Sequence, residues 1–205
     1  EALVSLTAKT PPATSWAAQR YLTKRGITKD DIFKWKIGYC AEGEYAGRIV
    51  VPSFNSSGYA NYFIARSYGY DWPRYKNPPA SRDIIFNELY VNWDEDIVIV
   101  EGVFDAIKAG NAIPLLGSTL RENSALFQAI VKGGNRVFLA LDEDASKKTR
   151  SISRLLLKYG IETYEIDTSG IEDVGDMSKE EFQVRKSKAS FIEKDNYLLQ
   201  RLSAI

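Results

Sequence analysis

The sequence predicts an α/β protein: an α+β N-terminal segment followed by a parallel sheet flanked by helices. Three observations predict it. Four consecutive β-branched residues, Ile97-Val98-Ile99-Val100, read as a strand buried on both faces, and they end abruptly on Glu101-Gly102. From Ile97 onward, strand-like and helix-like stretches alternate, as in a chain of β-α-β crossovers. Before that point the strands are separated by a short turn, Asn55-Ser56-Ser57-Gly58, which marks an antiparallel hairpin.

In chain order, residues 1–13 end in Thr10-Pro11-Pro12 and read as a linker or arm. Thr14 or Ser15 caps a helix running through Tyr21-Leu22, and Gly26 stops it. A second short helix, 30–35, opens on Thr28-Lys29-Asp30-Asp31, with acids in its first turn. Residues 36–40 lead into β structure, and strands 48–52 and 59–67 form the hairpin. Residues 68–79 then alternate aromatic and basic side chains with prolines that forbid a helix. Such interleaving suits a surface that stacks bases while cations hold phosphates; it equally suits an ordered loop anchored by its aromatics.

The parallel part is read as strands 97–101, 112–116, 136–142 and 161–166, with helices 103–109, 120–132 and 147–159 between them. Residues 182–188 and 191–202 read as C-terminal helices, the second amphipathic.

Composition bounds the chemistry. The 205 residues include 27 Lys+Arg and 27 Asp+Glu, so any polyanion site must come from local clustering rather than net charge. There is one Cys, Cys40, and no His. This stretch cannot form an internal disulfide, a Cys/His zinc site or a Ser-His-Asp triad. Carboxylates, Lys/Arg, hydroxyls and bound metal remain. No apolar run approaches the roughly 20 residues that span a bilayer, and no signal peptide is visible. The expected setting is a reduced cytoplasm. The opening at Glu1 rather than Met fits a piece of something longer.

The candidate chemistry lies at strand ends. Glu101 follows one buried strand and Asp105 falls in the first turn of the next helix. Asp142-Glu143-Asp144 follows the strand of Val137, and Asp173 and Asp176 follow the last. Gly117-Ser118-Thr119 adds a small loop at the same rim. In open α/β sheets, ligands bind outside the carboxyl ends of the strands. Any one of these acids could simply cap the helix after it, or mark a phospho-acceptor. Jointly they repel unless a cation sits among them, and an oxygen-only ligand set matches Mg²⁺ or Mn²⁺.

Val100-Glu101-Gly102-x-x-Asp105-Ala106 and Leu141-Asp142-x-Asp144 resemble the two motifs of a TOPRIM domain, the acidic catalytic domain of DnaG-type primases, topoisomerases and some nucleases. Other stretches are similar to DnaG-type primases: Gly47-Arg48-Ile49-Val50-Val51-Pro52, Phe63-Ile64-Ala65-Arg66, Arg74-Tyr75-Lys76-Asn77-Pro78-Pro79, Ile85-Phe86-Asn87-Glu88-Leu89-Tyr90 and Leu115-Leu116-Gly117-Ser118. Glu172-Asp173-Val174-Gly175-Asp176-Met177 is similar to a motif of phage primases, and the likeness is nearest to primases of tailed bacteriophages. Three departures stand out. These residues cannot build the zinc-binding domain usual in the family; Asn87 stands near where bacterial primases carry a Lys; Glu143 replaces a Gly.

The resemblance implies a Rossmann-like TOPRIM sheet at 93–178, a basic N-terminal subdomain at 14–92 and C-terminal helices at 179–205. It implies a DNA primase core that makes RNA primers from ribonucleoside triphosphates on single-stranded DNA by two-metal nucleotidyl transfer. Glu101, Asp105, Asp142 and Asp144 would be catalytic, and Glu101, Asp142, Asp144, Asp173 and Asp176 would hold Mg²⁺ or Mn²⁺. Arg48, Arg66, Arg74, Tyr75, Lys76, Asn77, Arg82, Gly117 and Ser118 would contact nucleotide or DNA, with Trp72 stacking on a base. A replicative helicase and a zinc-binding domain outside this chain are implied partners, and the cytoplasm, a host's if phage-encoded, is the implied location. A TOPRIM nuclease and a non-catalytic nucleotide- or DNA-binding module are the competing readings.

Overall fold

The computed structural model describes residues 3–6, 12–70, 72–117, 119–171 and 173–193. The chain forms two compact units, one of Glu1–Arg82 with Phe86–Leu89, the other of Asp83–Ile85 with Tyr90–Ile205.

The first unit is built on an antiparallel sheet of order β1-β2-β3-β4: β1 Val4–Ser5, β2 Gly38–Cys40, β3 Arg48–Phe54 and β4 Ala60–Ser67. The hairpin β3–β4 carries the register Ile49↔Arg66 and Val51↔Ile64, with a shift at Ser53/Phe54 before the turn. Gly58, at φ 83°, closes that turn, and the Asn55 side chain accepts the backbone N–H groups of Ser57 and Tyr59. Val4–Ser5 lies inside the stretch expected to be an arm; it is instead a strand paired with β2. The pairing depends on Gly38, because a Cβ there would come within 2.6 Å of the Leu3 side chain. The helices are α1 Trp16–Lys24 and α2 Lys29–Lys34. At α2 the Thr28 hydroxyl accepts from Asp31 N–H while the Asp31 carboxylate accepts from Thr28 N–H, a reciprocal cap. Ser15 occupies the N-cap of α1 but turns its hydroxyl to the Pro12 carbonyl and to the Gln19 amide.

The second unit holds a five-stranded sheet of order β6-β5-β7-β8-β9: β5 Ile97–Val100, β6 Ala112–Pro114, β7 Val137–Ala140, β8 Thr163–Glu165 and β9 Ser190–Phe191. The first four are parallel, as expected, and β9 is antiparallel to β8. All residues of β5 and β7 are buried, so each Val or Ile contributes about 1.5–3 kcal/mol relative to exposure. The crossovers are α3 Val103–Ala109, α4 Ala125–Gly133 and α5 Ser146–Lys158, followed by α6 Lys179–Ser187. Ile97, Ile99, Val137 and Leu139 form one core with Leu126 and Ile130 of α4 and Ile152 and Leu156 of α5. Val98 and Val100 face the other way. α3 and α6 pack against each other.

This order has a consequence for ligand binding. β5 leads to β6 on one side, whereas β7 leads to β8 on the other. With right-handed crossovers, the chain leaves these two neighbouring strands in opposite directions, and a crevice opens at their carboxyl ends.

Two helix expectations are corrected. The helix expected over 120–132 begins at Ala125, because Ser124 caps it through Phe127 N–H and Asp83 accepts Ala125 N–H. The helix expected from Phe191 starts as strand: Ser190 and Phe191 pair with Glu165 and Tyr164, and the Phe191 ring lies 5.3 Å from that of Tyr164. The rest of that expected helix lies outside the described residues. Among the described residues, no helix is long and apolar enough to cross a membrane.

Candidate metal centre

The crevice at the ends of β5 and β7 is acidic. Oxygens of Asp105, Asp142 and Asp173 all lie within 4.8 Å of one another. Each arrives by a different local device. Gly102 ends β5 in an extended conformation, and its N–H donates to Asp105 Oδ2 at 2.7 Å. The missing side chain matters, because a Cβ at 102 would stand 3.1 Å from that oxygen. Asp105 thus closes the first turn of α3 and is 5% exposed. Asp142 follows β7, where the Thr168 hydroxyl donates to the preceding Leu141 carbonyl at 2.8 Å. Asp173 caps a short 3₁₀ turn, Val174–Asp176, by accepting Gly175 N–H at 2.8 Å.

Electrostatics follow from the crowding. Burial pushes the Asp105 carboxyl up to about 8, aided by the charge of Asp173 and a hydrogen bond with it. Burial, then Glu101, Asp173 and Asp144, raise Asp142 to about 6, against a lowering by Lys148. Without a cation the cluster relieves repulsion by keeping protons. Asp142 Oδ1 is buried and has no hydrogen-bond partner among the described residues. An acceptor left unmatched beside two further carboxylates fits a hard divalent cation with oxygen ligands.

The other acids expected at the site occupy its surroundings. Glu101 Oε2 accepts from Lys148 Nζ at 2.8 Å, so its carboxylate is turned to α5. Asp144 and Asp176 are exposed and stand outside the group of three. Lys148 was not among the expected residues. The only hint in the sequence is its place in the first turn of the helix that follows Asp142-x-Asp144, where a cation opposes the helix dipole.

In the first unit, Arg48 and Arg66 are buried, 4% and 9% exposed. Arg48 Nη1 donates to the Arg74 carbonyl at 3.4 Å. The Arg66 guanidinium donates to the Tyr75 hydroxyl and lies over the Tyr75 and Tyr21 rings, 4.9 and 5.8 Å from their centroids. Burial raises the Tyr75 hydroxyl above its usual range, against the lowering effect of Arg66. Further bonds hold the segment after β4 beside these arginines: Ser67 N–H donates to the Arg74 carbonyl, Lys76 N–H to the Ala65 carbonyl, and Ala65 N–H to Asn77 Oδ1. Lys76 Nζ pairs with Glu44 at 3.1 Å. Arg74 and Arg82 are exposed, and so are the rings of Tyr70 and Trp72. Asn87 is buried at φ 54°, its side chain accepting Phe54 N–H and its N–H donating to Ser53. Gly117 is an exposed turn residue at φ 76°, and Ser118 lies outside the described residues.

No family model matches the chain. Over 213 aligned residues it is 27% identical to a DNA primase of Thermotoga maritima, an overlap of 80% of this chain and 37% of that protein. The chain therefore spans a little over a third of that relative's length. Its fold is similar to that of the zinc-binding and RNA polymerase domains of the Aquifex aeolicus primase, with a TM-score of 0.73 and 22% identity over 86% of this chain and 57% of the other. It is similar also to a DnaG primase catalytic domain bound to single-stranded DNA, with a TM-score of 0.74 and 19% identity over 93% of this chain and 76% of the other. The resemblance to DnaG-type primases is borne out at the level of fold, which is similar to that of the DnaG-type primase catalytic core.

Proposed function

We propose that this chain is the polymerase core of a DnaG-type DNA primase, joining ribonucleoside triphosphates into short RNA primers on a single-stranded DNA template. The reading is carried by the meeting of Asp105, Asp142 and Asp173 at the carboxyl edge of a sheet with the primase-core fold. One similar core is described bound to single-stranded DNA and another together with a zinc-binding domain. For this chain we infer the same class of template, and a zinc-binding domain and replicative helicase supplied from outside these residues. We place its action in the cytoplasm, a host's if the chain is of phage origin.

Bound Mg²⁺ or Mn²⁺ would neutralise charge on the transferring phosphate and ease ionisation of the attacking 3′-hydroxyl. Asp105, Asp142 and Asp173 would hold the ion, with Asp144 and Asp176 reinforcing the negative field from the rim. Glu101, beside Asp142, would serve as a further ligand or accept the hydroxyl proton. Arg74 and Arg82 would hold phosphates of template or triphosphate, joined by Lys76. Arg48, Arg66, Tyr75 and Asn77 would keep that segment in register, and Trp72 would stack on an unpaired base. The exposed turn residue Gly117 would admit the nucleotide close to the backbone.

The test is primer synthesis by the purified chain from labelled ribonucleotides, Mg²⁺ and single-stranded DNA. Short RNA products are expected, and Asp142→Ala should abolish them. Full synthesis by Asp142→Ala or Glu101→Gln would refute the site. Template cleavage without synthesis would favour a nuclease.

A further inference from the structure

Three carboxylates converge at the crevice, and Glu101, whose charge acts on Asp142, accepts from Lys148 beside them. Lys148 is the third residue of α5, a helix with no acid in its first turn. A cation there lies at the unfavourable end of the helix dipole, so helix chemistry does not account for it. Surface exchange does not account for it either, since the two side chains are only 26% and 22% exposed. An ammonium held at 2.8 Å from Glu101, at the rim of a concentrated negative field, is stabilised by that field. A local misfit of this kind marks a functional constraint.

We propose that Lys148 is the resident counter-cation of the carboxylate cluster, neutralising Glu101 and setting the affinity for divalent metal by competing with the ion for that carboxylate. The inference rests on the reading that the cluster binds a divalent ion. Binding the ion releases Glu101 from Lys148, and the like charges of ammonium and metal oppose each other. Lys148 is therefore a positioning residue: it acts through Glu101 and lowers metal affinity.

The experiment is Mn²⁺ binding to the intact chain at neutral pH, followed by electron paramagnetic resonance without nucleotide or DNA. Lys148→Met keeps the stem and removes the charge. It should bind Mn²⁺ about tenfold more tightly, the scale expected for removing a unit charge a few ångströms from a divalent ion. Lys148→Arg should bind as the parent does. In a Glu101→Gln background the gain from Lys148→Met should shrink, because the carboxylate being contested is gone. Lys148→Gln, measured alike, covers the case in which Met impairs folding. Unchanged or weaker binding in the charge-removing variants would overturn the proposal while leaving the metal site standing. Absence of Mn²⁺ binding by the parent chain would overturn both.

Discussion

Asp105 and Gly102 are bound to each other in a way that gives one carboxylate two duties. Its Oδ2 takes the Gly102 N–H at 2.7 Å, closing the first turn of α3, and the same side chain meets Asp142 and Asp173.

The two duties separate in Asp105→Asn. The amide oxygen can still accept the Gly102 N–H, but the charge is lost. Thermal stability at neutral pH should hold or rise, while affinity for Mn²⁺ should fall at least about tenfold, as for loss of a charged ligand. Melting curves and a metal titration on the same sample check both.

The elevated Asp105 carboxyl, about 8, also sets a pH dependence. In the unfolded chain it ionises near about 4. Between these values the folded state keeps a proton that the unfolded state releases. The stability due to this group is therefore full below about pH 4 and falls as pH rises through the folded value. The metal-free protein should melt at lower temperature at pH 8 than at pH 6, and Asp105→Asn should flatten that slope. Mg²⁺ should raise the melting temperature more at pH 8. Melting scans with Mg²⁺ or with a chelator give the comparison.

Trp72 is 89% exposed, so Trp72→Ala should leave the melting temperature unchanged. If the ring stacks on an unpaired base, single-stranded DNA binding should weaken by about 1–3 kcal/mol. Fluorescence anisotropy of a labelled oligonucleotide measures it.

Ile99 is wholly buried at the centre of the parallel sheet. Ile99→Ala should cost about 2–5 kcal/mol of stability, read from denaturant unfolding, through lost burial and the cavity left behind.

Much of the parallel unit could be read from the chain because its signals are local. Ile97–Val100 announces itself by four β-branched residues, and Glu101-Gly102 by an acid and a glycine after them. What could not be read was set by contacts between distant segments. Ser190–Phe191 is strand because the β8 backbone and the Tyr164 ring await it, not because of its composition. Val4–Ser5 depends on a glycine far along the chain. Among the acids, Asp142 and Asp144 look equivalent by spacing, yet the 3₁₀ turn at Glu143–Ala145 leaves Asp144 at the surface while Asp142 meets Asp105 and Asp173. Arg48 and Arg66 read as phosphate ligands, and their burial against the Arg74 carbonyl and the Tyr75 ring emerges only from the hairpin register. Lys148 was hidden because its partner precedes it by 47 residues.

The sheet margins bear on self-association. Among the described residues, β1 and β9 each have two residues and β6 has three, so there these three margins offer little backbone for another chain to extend. The fourth, β4, has eight residues, and the segment from Arg74 to Asn77 occupies the part near Ala65 and Ser67. The arginine–tyrosine contact that steadies this segment thus also shields a sheet margin. Loosening it by Tyr75→Ala would bare an aggregation-prone ribbon, so a loss of solubility in that variant need not signal a loss of DNA binding.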